Sequence, residues 1–399
     1  MKFSKLSQLF LVSIIGLVVA SLLTSCEIVT IDYLFVASST GIQTYDVDSE
    51  SGAIRSGQAT VPSGGTNPVA MAISSDYASL YVANQGNNSV DHFSVAGNGV
   101  LSNKDNVTTA TPPVALTVDP GKAYLYVVSG TDSATLTSYS LSSGTIGSPA
   151  STVQLSLSSV SASFANDTLI PTGVNVLTNG AAVYVTAYDQ SAYNPGGSVS
   201  SNANPGWVFG FTVGSGGTLT PAAGSPWKAG IKPTAIASDP TNRFVYVTDF
   251  ASNQMIGYGV QNGDVLQFMV NGPFKTGNEP SAITIDPRGL YIYVANSLDS
   301  TVSAYVISLS TGTPSAAVNL TGSSLNSTDT EPEAILVDPA LGRFVYTANH
   351  LGNSVSGFRL NATTGALTAT LSGPYPTGDT PTALASVPHG NHSTQSVTP

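Results

Sequence analysis

Leu80-Tyr81-Val82-Ala83-Asn84 is one copy of the phrase that decides the fold, because it returns six more times: LFVAS at 34–38, LYVVS at 125–129, VYVTA at 183–187, VYVTD at 245–249, IYVAN at 292–296 and VYTAN at 345–349. Runs of β-branched and aromatic residues that end in Asn, Asp or Ser read as strands followed by tight turns. A second phrase, Pro followed by small and apolar residues, also occurs seven times, beginning at Pro68, Pro113, Pro171, Pro233, Pro280, Pro332 and Pro381. The Pro precedes the Tyr by 13 residues in five of six complete pairs and by 14 between Pro332 and Tyr346, so each pair is one hairpin with a fixed turn.

A third strand with a central aromatic follows each YV phrase, as in SVDHFSV at 89–95 and SVSGFRL at 354–360, and a weaker fourth follows in most repeats. Four strands repeating every 45 to 62 residues or so predict an all-β protein, a seven-bladed β-propeller of four-stranded antiparallel blades. We name the strands A (Pro), B (YV), C (aromatic) and D. The first B strand has no A strand before it, and the A strand at Pro381 has no B strand after it. The N- and C-terminal strands therefore pair in one blade, closing the ring and removing open sheet edges.

The N-terminus predicts an exported protein. Lys2 and Lys5 precede an apolar run from Leu9 to Leu23 that ends in Leu23-Thr24-Ser25-Cys26, a signal peptide of the lipoprotein kind and too short for a spanning helix. The expected organisation is a signal peptide at 1–25, a lipidated tether at 26–31, the propeller at 32–388 and a flexible tail at 389–399. Acylation at Cys26 would anchor the chain to a membrane of the cell envelope, the outer membrane being favoured because Glu27 rather than Asp follows. Cys26 is the only cysteine, which excludes disulfides, thiol catalysis and Cys-based metal sites. Removing Lys2 and Lys5 takes the formal charge from −11 to −13, which repels nucleic acid and anionic lipid. No metal, no cofactor and a monomeric state are expected.

The YVAN-type strands, the DP turns at Asp239-Pro240, Asp286-Pro287 and Asp338-Pro339, and the linker GSPWKAGIKP at 224–233 with its echoes GPFKTGNEP and GPYPTGDTP resemble the lactonase-like seven-bladed propellers, the YVTN-repeat family. The resemblance covers residues 32 to 388 and implies 6-phosphogluconolactonase-like lactone hydrolysis, with a His soon after the anchor Pro and Arg and Glu in the funnel. None of the seven anchors carries that His: the next residue is Val, Val, Thr, Thr, Ser, Glu or Thr.

Antiparallel connectivity puts the A–B and C–D turns on face two and the B–C and D–A loops on face one. Positions shared by all blades are structural, and those that break the repeat on face one are the functional candidates. Trp227 matches Phe274 and Tyr375 in the linkers, Arg243 and Arg343 fall in A–B turns, and the DVDSESG run at Asp46 is a C–D turn. The breaks are the long D–A segment at about 156–170 and the long B–C loop from Tyr188 to Asn204, which form a lip with Tyr188, Tyr193 and Trp207 as ligand-binding aromatics. Around the mouth Asp329, Glu331, Glu333 and Glu279 come beside Lys232, and His350 stands where other blades have Gln85, Phe250 or Ser297. His92 sits mid-strand in blade two, as a packing or surface residue.

These features predict an envelope-anchored module that binds a small molecule, protein or glycan on the funnel face without catalysis. The alternative is a lactonase acting on a non-phosphorylated lactone, with His350 and Glu331 or Glu333 as the base pair, since carboxylates at the funnel repel phosphate.

Overall fold

A computed structural model describes residues 29–193 and 205–390. The expected signal peptide, Cys26 and most of the loop from Tyr188 to Asn204 lie outside the described residues, as do residues 391–399. The described chain forms seven antiparallel sheets, each running from an inner strand A to an outer strand D. Blade five shows the plan: A is Pro233–Ser238, B is Phe244–Asp249, C is Gln254–Gln261 and D begins at Val265–Phe268. The inner strands touch one another in blade order and return to the first, so they surround a central channel.

The two ends of the chain share blade one. Thr30–Ser38 lies between Gly41–Asp48 and the C-terminal Ala383–Pro388, with Phe35 opposite Ala385 in the register. The strand starts earlier than the expected boundary, since Ile31 is fully buried. His389, expected to lie beyond the propeller, donates its N–H to the Ile31 carbonyl at 2.8 Å and packs edge-on against Tyr33.

The core is distributed among the seven seams between blades, one apolar cluster to each. Each B strand is buried on both faces, which explains its continuous apolar run. Tyrosines of the B strands reach across the seams: Tyr246 donates to the Gly312 carbonyl at 2.5 Å and Tyr293 to Gly365 at 2.9 Å. On face two the Asp of each DP turn caps its own hairpin. The Asp239 carboxylate accepts from the N–H groups of Arg243 and Phe244, and Asp286 accepts from Leu290 and Tyr291.

The outer strand departs from the expected single run. In blades four to seven it comes in two pieces, the second being Trp227–Lys228, Phe274–Lys275, Leu325–Ser327 and Tyr375–Pro376, each pairing the start of strand C. In three of them a cis prolyl bond, at Pro226, Pro273 and Pro374, precedes the aromatic. Trp227, Phe274 and Tyr375 pack at the seams four–five, five–six and seven–one, as their matching linker positions predict.

Candidate functional site

The register of the repeat builds the channel mouth on face one from three positions per blade. The first is the residue before the anchor Pro: Asn67, Pro112, Ile170, Lys232, Glu279, Glu331 and Thr380. In blades two, five, six and seven its carbonyl accepts an N–H from the second position, the residue after strand B: Gln85 to Asn67, Phe250 to Lys232, Ser297 to Glu279 and His350 to Glu331, at 2.7–2.9 Å. The third is the residue after the Pro.

In blades five, six and one that third residue is a hydroxyl that ties neighbouring blades together. Thr234 donates to the Pro280 carbonyl at 2.7 Å, Ser281 to Pro332 at 2.6 Å and Thr382 to Pro68 at 2.6 Å. In blade seven a carboxylate, Glu333, replaces this hydroxyl and points to a different task. Glu333 Oε2 lies 3.7 Å from Nδ1 of His350, with the two side chains 40% and 28% exposed. Nδ1 itself is buried and makes no hydrogen bond among the described residues. A gap of 3.7 Å is too long for a direct hydrogen bond, so the two groups interact as neighbouring charges. Burial pushes the Glu333 carboxyl up, Glu331 pushes it further, and the His350 imidazole opposes both.

Glu279 and Glu331 are both held with positive φ, 54° and 59°, a conformation disfavoured by the Cβ. The Glu279 N–H is fixed by Asn253 Oδ1 at 2.8 Å. Lys232 stands beside it with its ammonium 4.2 Å from the Phe250 ring centre and 5.7 Å from that of Tyr193. Burial lowers the Lys232 pKa, and Glu279 works against that. Tyr193 meets Tyr188 edge to face at 5.3 Å. The structure thus gathers Tyr188, Tyr193, Lys232 and Glu279 on the arc of blades four to six, with Glu331, Glu333 and His350 beside them on blade seven. Asp329 serves its own loop, accepting from Ser354 at 2.9 Å and from the Thr330 N–H at 2.8 Å.

Trp207 does not join the lip. It is 5% exposed, packed in the seam between blades three and four and paired in the ladder with Ala187 and Lys228. In Trp207-Val208-Phe209-Gly210-Phe211 the alternation puts Trp207 on the same inward side as Phe209 and Phe211, a signal readable in the sequence. Its ring carries the Lys228 ammonium at 3.7 Å. Beside it Asp167 is pushed up by burial and by the charge of Asp189. Sequence reasoning missed this acidic pair, because nothing local links the D–A segment to the end of strand B.

Over residues 28–166 and 220–392 the sequence matches the family described as "Lactonase, 7-bladed beta-propeller". The chain belongs to this lactonase family. No curated protein matches it. Among solved structures, the periplasmic gluconolactonase PpgL of Pseudomonas aeruginosa shares 18% identity at a TM-score of 0.72, covering 90% of this chain and 100% of its own. A candidate 6-phosphogluconolactonase from Bacteroides uniformis shares 18% at 0.70, covering 90% and 100%. A second, from Bacteroides fragilis, shares 17% at 0.71, covering 90% and 98%. At such identities the likeness speaks for the fold. The stretch of this lactonase propeller outside the match, 167–219, contains strands A, B and C of blade four, the blade that bears Tyr188 and Tyr193.

One further constellation has the geometry of a hydrolase triad. His92 in strand C of blade two has Nδ1 2.8 Å from Asp105 and Nε2 3.1 Å from Ser79 Oγ. Ser79 is 7% exposed and a Cβ on Gly144 of blade three would lie 2.4 Å from its hydroxyl, so no acyl group can approach. Asp105 also takes the Ile146 N–H at 3.0 Å, and His92 stacks on Tyr81. This triad of the lactonase propeller is a clamp between blades two and three, on the side away from the mouth. Among the described residues no group of three or more His, Cys, Asp or Glu side chains is arranged to hold a metal.

Proposed function

We propose that the protein hydrolyses a neutral, non-phosphorylated lactone at the mouth of face one, with Glu333 as general base and His350 as its partner. The observation that carries this is the Glu333–His350 pair, 3.7 Å apart, at a position where other blades place a hydroxyl staple. Membership of the lactonase family supports hydrolysis over the binding-only role expected from the missing anchor histidine.

The chemistry needs a proton acceptor for water and a donor for the ring oxygen. Glu333 takes a proton from a water as its oxygen bonds to the lactone carbonyl carbon. When the ring C–O bond breaks, the alkoxide receives a proton through the His350 imidazole, and the product is a hydroxy acid. The raised Glu333 carboxyl suits this work, because a base is most effective with its pKa near the working pH. Three glutamates at the mouth disfavour a phosphorylated substrate, which would need Arg or Lys clamps. Acylation at Cys26 would keep this activity in the cell envelope; a fatty-acid probe should label the protein, and label that persists in Cys26→Ser would overturn the anchor.

The test is hydrolysis of a lactone panel by the purified protein. Glu333→Gln and His350→Ala should each lower kcat by about 10² to 10⁴. Turnover that survives both substitutions, or its absence on every lactone, overturns the reading.

A further inference from the structure

The B–C turns that flank the charged quadrant are also the apolar ones. Blade four has Tyr188 at the end of its strand B and Tyr193 in the turn that follows, blade five Phe250, blade six Leu298 and blade seven Leu351. Leu298 and Leu351 hold the same turn position, two residues after the buried Asn296 and Asn349, and are 65% and 63% exposed. In blades one to three these turns carry Thr40, Gln85 with Gly86, and Gly130 to Asp132. Single exposed aliphatics need no explanation, but a run over four consecutive blades that is absent from the other three is an organised surface. It is continuous with the proposed catalytic pair. Leu351 follows His350 directly, and Ser300, at the end of the Leu298 turn, meets the Glu331 N–H at 3.4 Å.

We propose that this arc seats an apolar chain on the substrate, so that the lactone is alkyl- or aryl-substituted rather than a polyhydroxylated sugar lactone. The inference rests on the lactonase reading of Glu333 and His350. A polyol bound here would trade hydrogen bonds with water for contact with methyl groups and ring faces, leaving its hydroxyls unpaired. An alkyl chain loses nothing polar and removes apolar surface from water on both sides. Lys232 lies against the rings of Phe250 and Tyr193, so its stem and the rings extend the same apolar strip.

The experiment measures kcat/KM for γ-lactones bearing no side chain, butyl or octyl chains, and for gluconolactone. Efficiency should rise about two- to fourfold per methylene over the first several carbons. In the double variant Leu298→Ser, Leu351→Ser the octyl-to-unsubstituted ratio should fall about tenfold or more; both positions are solvent-facing, so the fold is retained. Gluconolactone or the unsubstituted lactone hydrolysed as efficiently as the octyl compound overturns the inference and leaves the lactonase reading standing. With no turnover of any lactone, that reading fails, and calorimetric titration with alkyl-substituted lactams decides the arc separately. Affinity that climbs with chain length and drops in the double variant supports it; affinity independent of chain length overturns it.

Discussion

The Tyr346 hydroxyl donates to the Gly52 carbonyl at 2.8 Å, joining residues 294 positions apart and binding blade seven to blade one across the closure. The same bond recurs at other seams, from Tyr81 to Gly144, Tyr184 to Asp264, Tyr246 to Gly312 and Tyr293 to Gly365. Each runs from strand B of one blade to the C–D turn of the next. The Tyr126 hydroxyl is the exception: it is buried with no hydrogen-bond partner among the described residues, as is Ser138 Oγ in the neighbouring strand.

Removing these hydroxyls should therefore have opposite effects. Tyr246→Phe and Tyr346→Phe each lose a buried hydrogen bond and should cost about 1 kcal/mol in urea-induced unfolding. Tyr126→Phe removes an unpaired polar atom and should be neutral or stabilising. A loss at Tyr126 as large as at Tyr246 would contradict this account of the seams.

Closure makes a second prediction. Ending the chain before residue 379 removes Ala383–Pro388, leaves the inner edge of Thr30–Ser38 without its ladder and uncovers the seams around it. The melting transition should fall and broaden, whereas a chain ending at Gly390 should melt with the parent. Equal melting temperatures for the shorter chain and the parent would refute closure by that strand.

The fold was legible because strands A, B and C were each stated seven times, so errors in one repeat were corrected by the others. The mouth was legible for the same reason: Glu333 and His350 stand out only against Thr234, Ser281, Phe250 and Ser297 in equivalent positions. Trp207 was misplaced because it borders a long loop, although its alternation with Phe209 and Phe211 already pointed inward. The split outer strands and the burial of Asp32 were not legible, since each depends on neighbours distant in sequence.

Asp32 is that case, and it gives the third prediction. Its carboxyl is fully buried in blade one beside Asp338 of blade seven, with Tyr77 and Tyr346 also within reach of its charge. Burial first, then the Asp338 charge, hold its pKa well above the ordinary range. The folded chain therefore keeps this proton after the unfolded chain has lost it at about pH 4. The protonated group's contribution is fully present below that pH and is lost as pH rises toward the folded pKa. Asp32→Asn has no proton to lose, so its stability relative to the parent should increase between about pH 4 and neutrality. Parallel melting curves across that range would place the shifted proton elsewhere.

Glu331 links stability to activity. Its φ of 59° is a left-handed conformation that costs a residue with a Cβ about 1–2 kcal/mol and that Asn tolerates better. Glu331→Asn should therefore stabilise the fold, by about 0.5 kcal/mol once the difference between the two side chains in that region is counted. The same change removes a negative charge that pushes the Glu333 carboxyl up. A lower Glu333 pKa leaves the base ionised to a lower pH, so the acidic limb of kcat/KM against pH should move down. It also makes a weaker base, so the plateau should fall. A variant that is more stable, slower and active at lower pH is the expected combination. An unmoved acidic limb would mean that Glu333 is not the group whose ionisation the rate follows, whatever happens to the melting temperature.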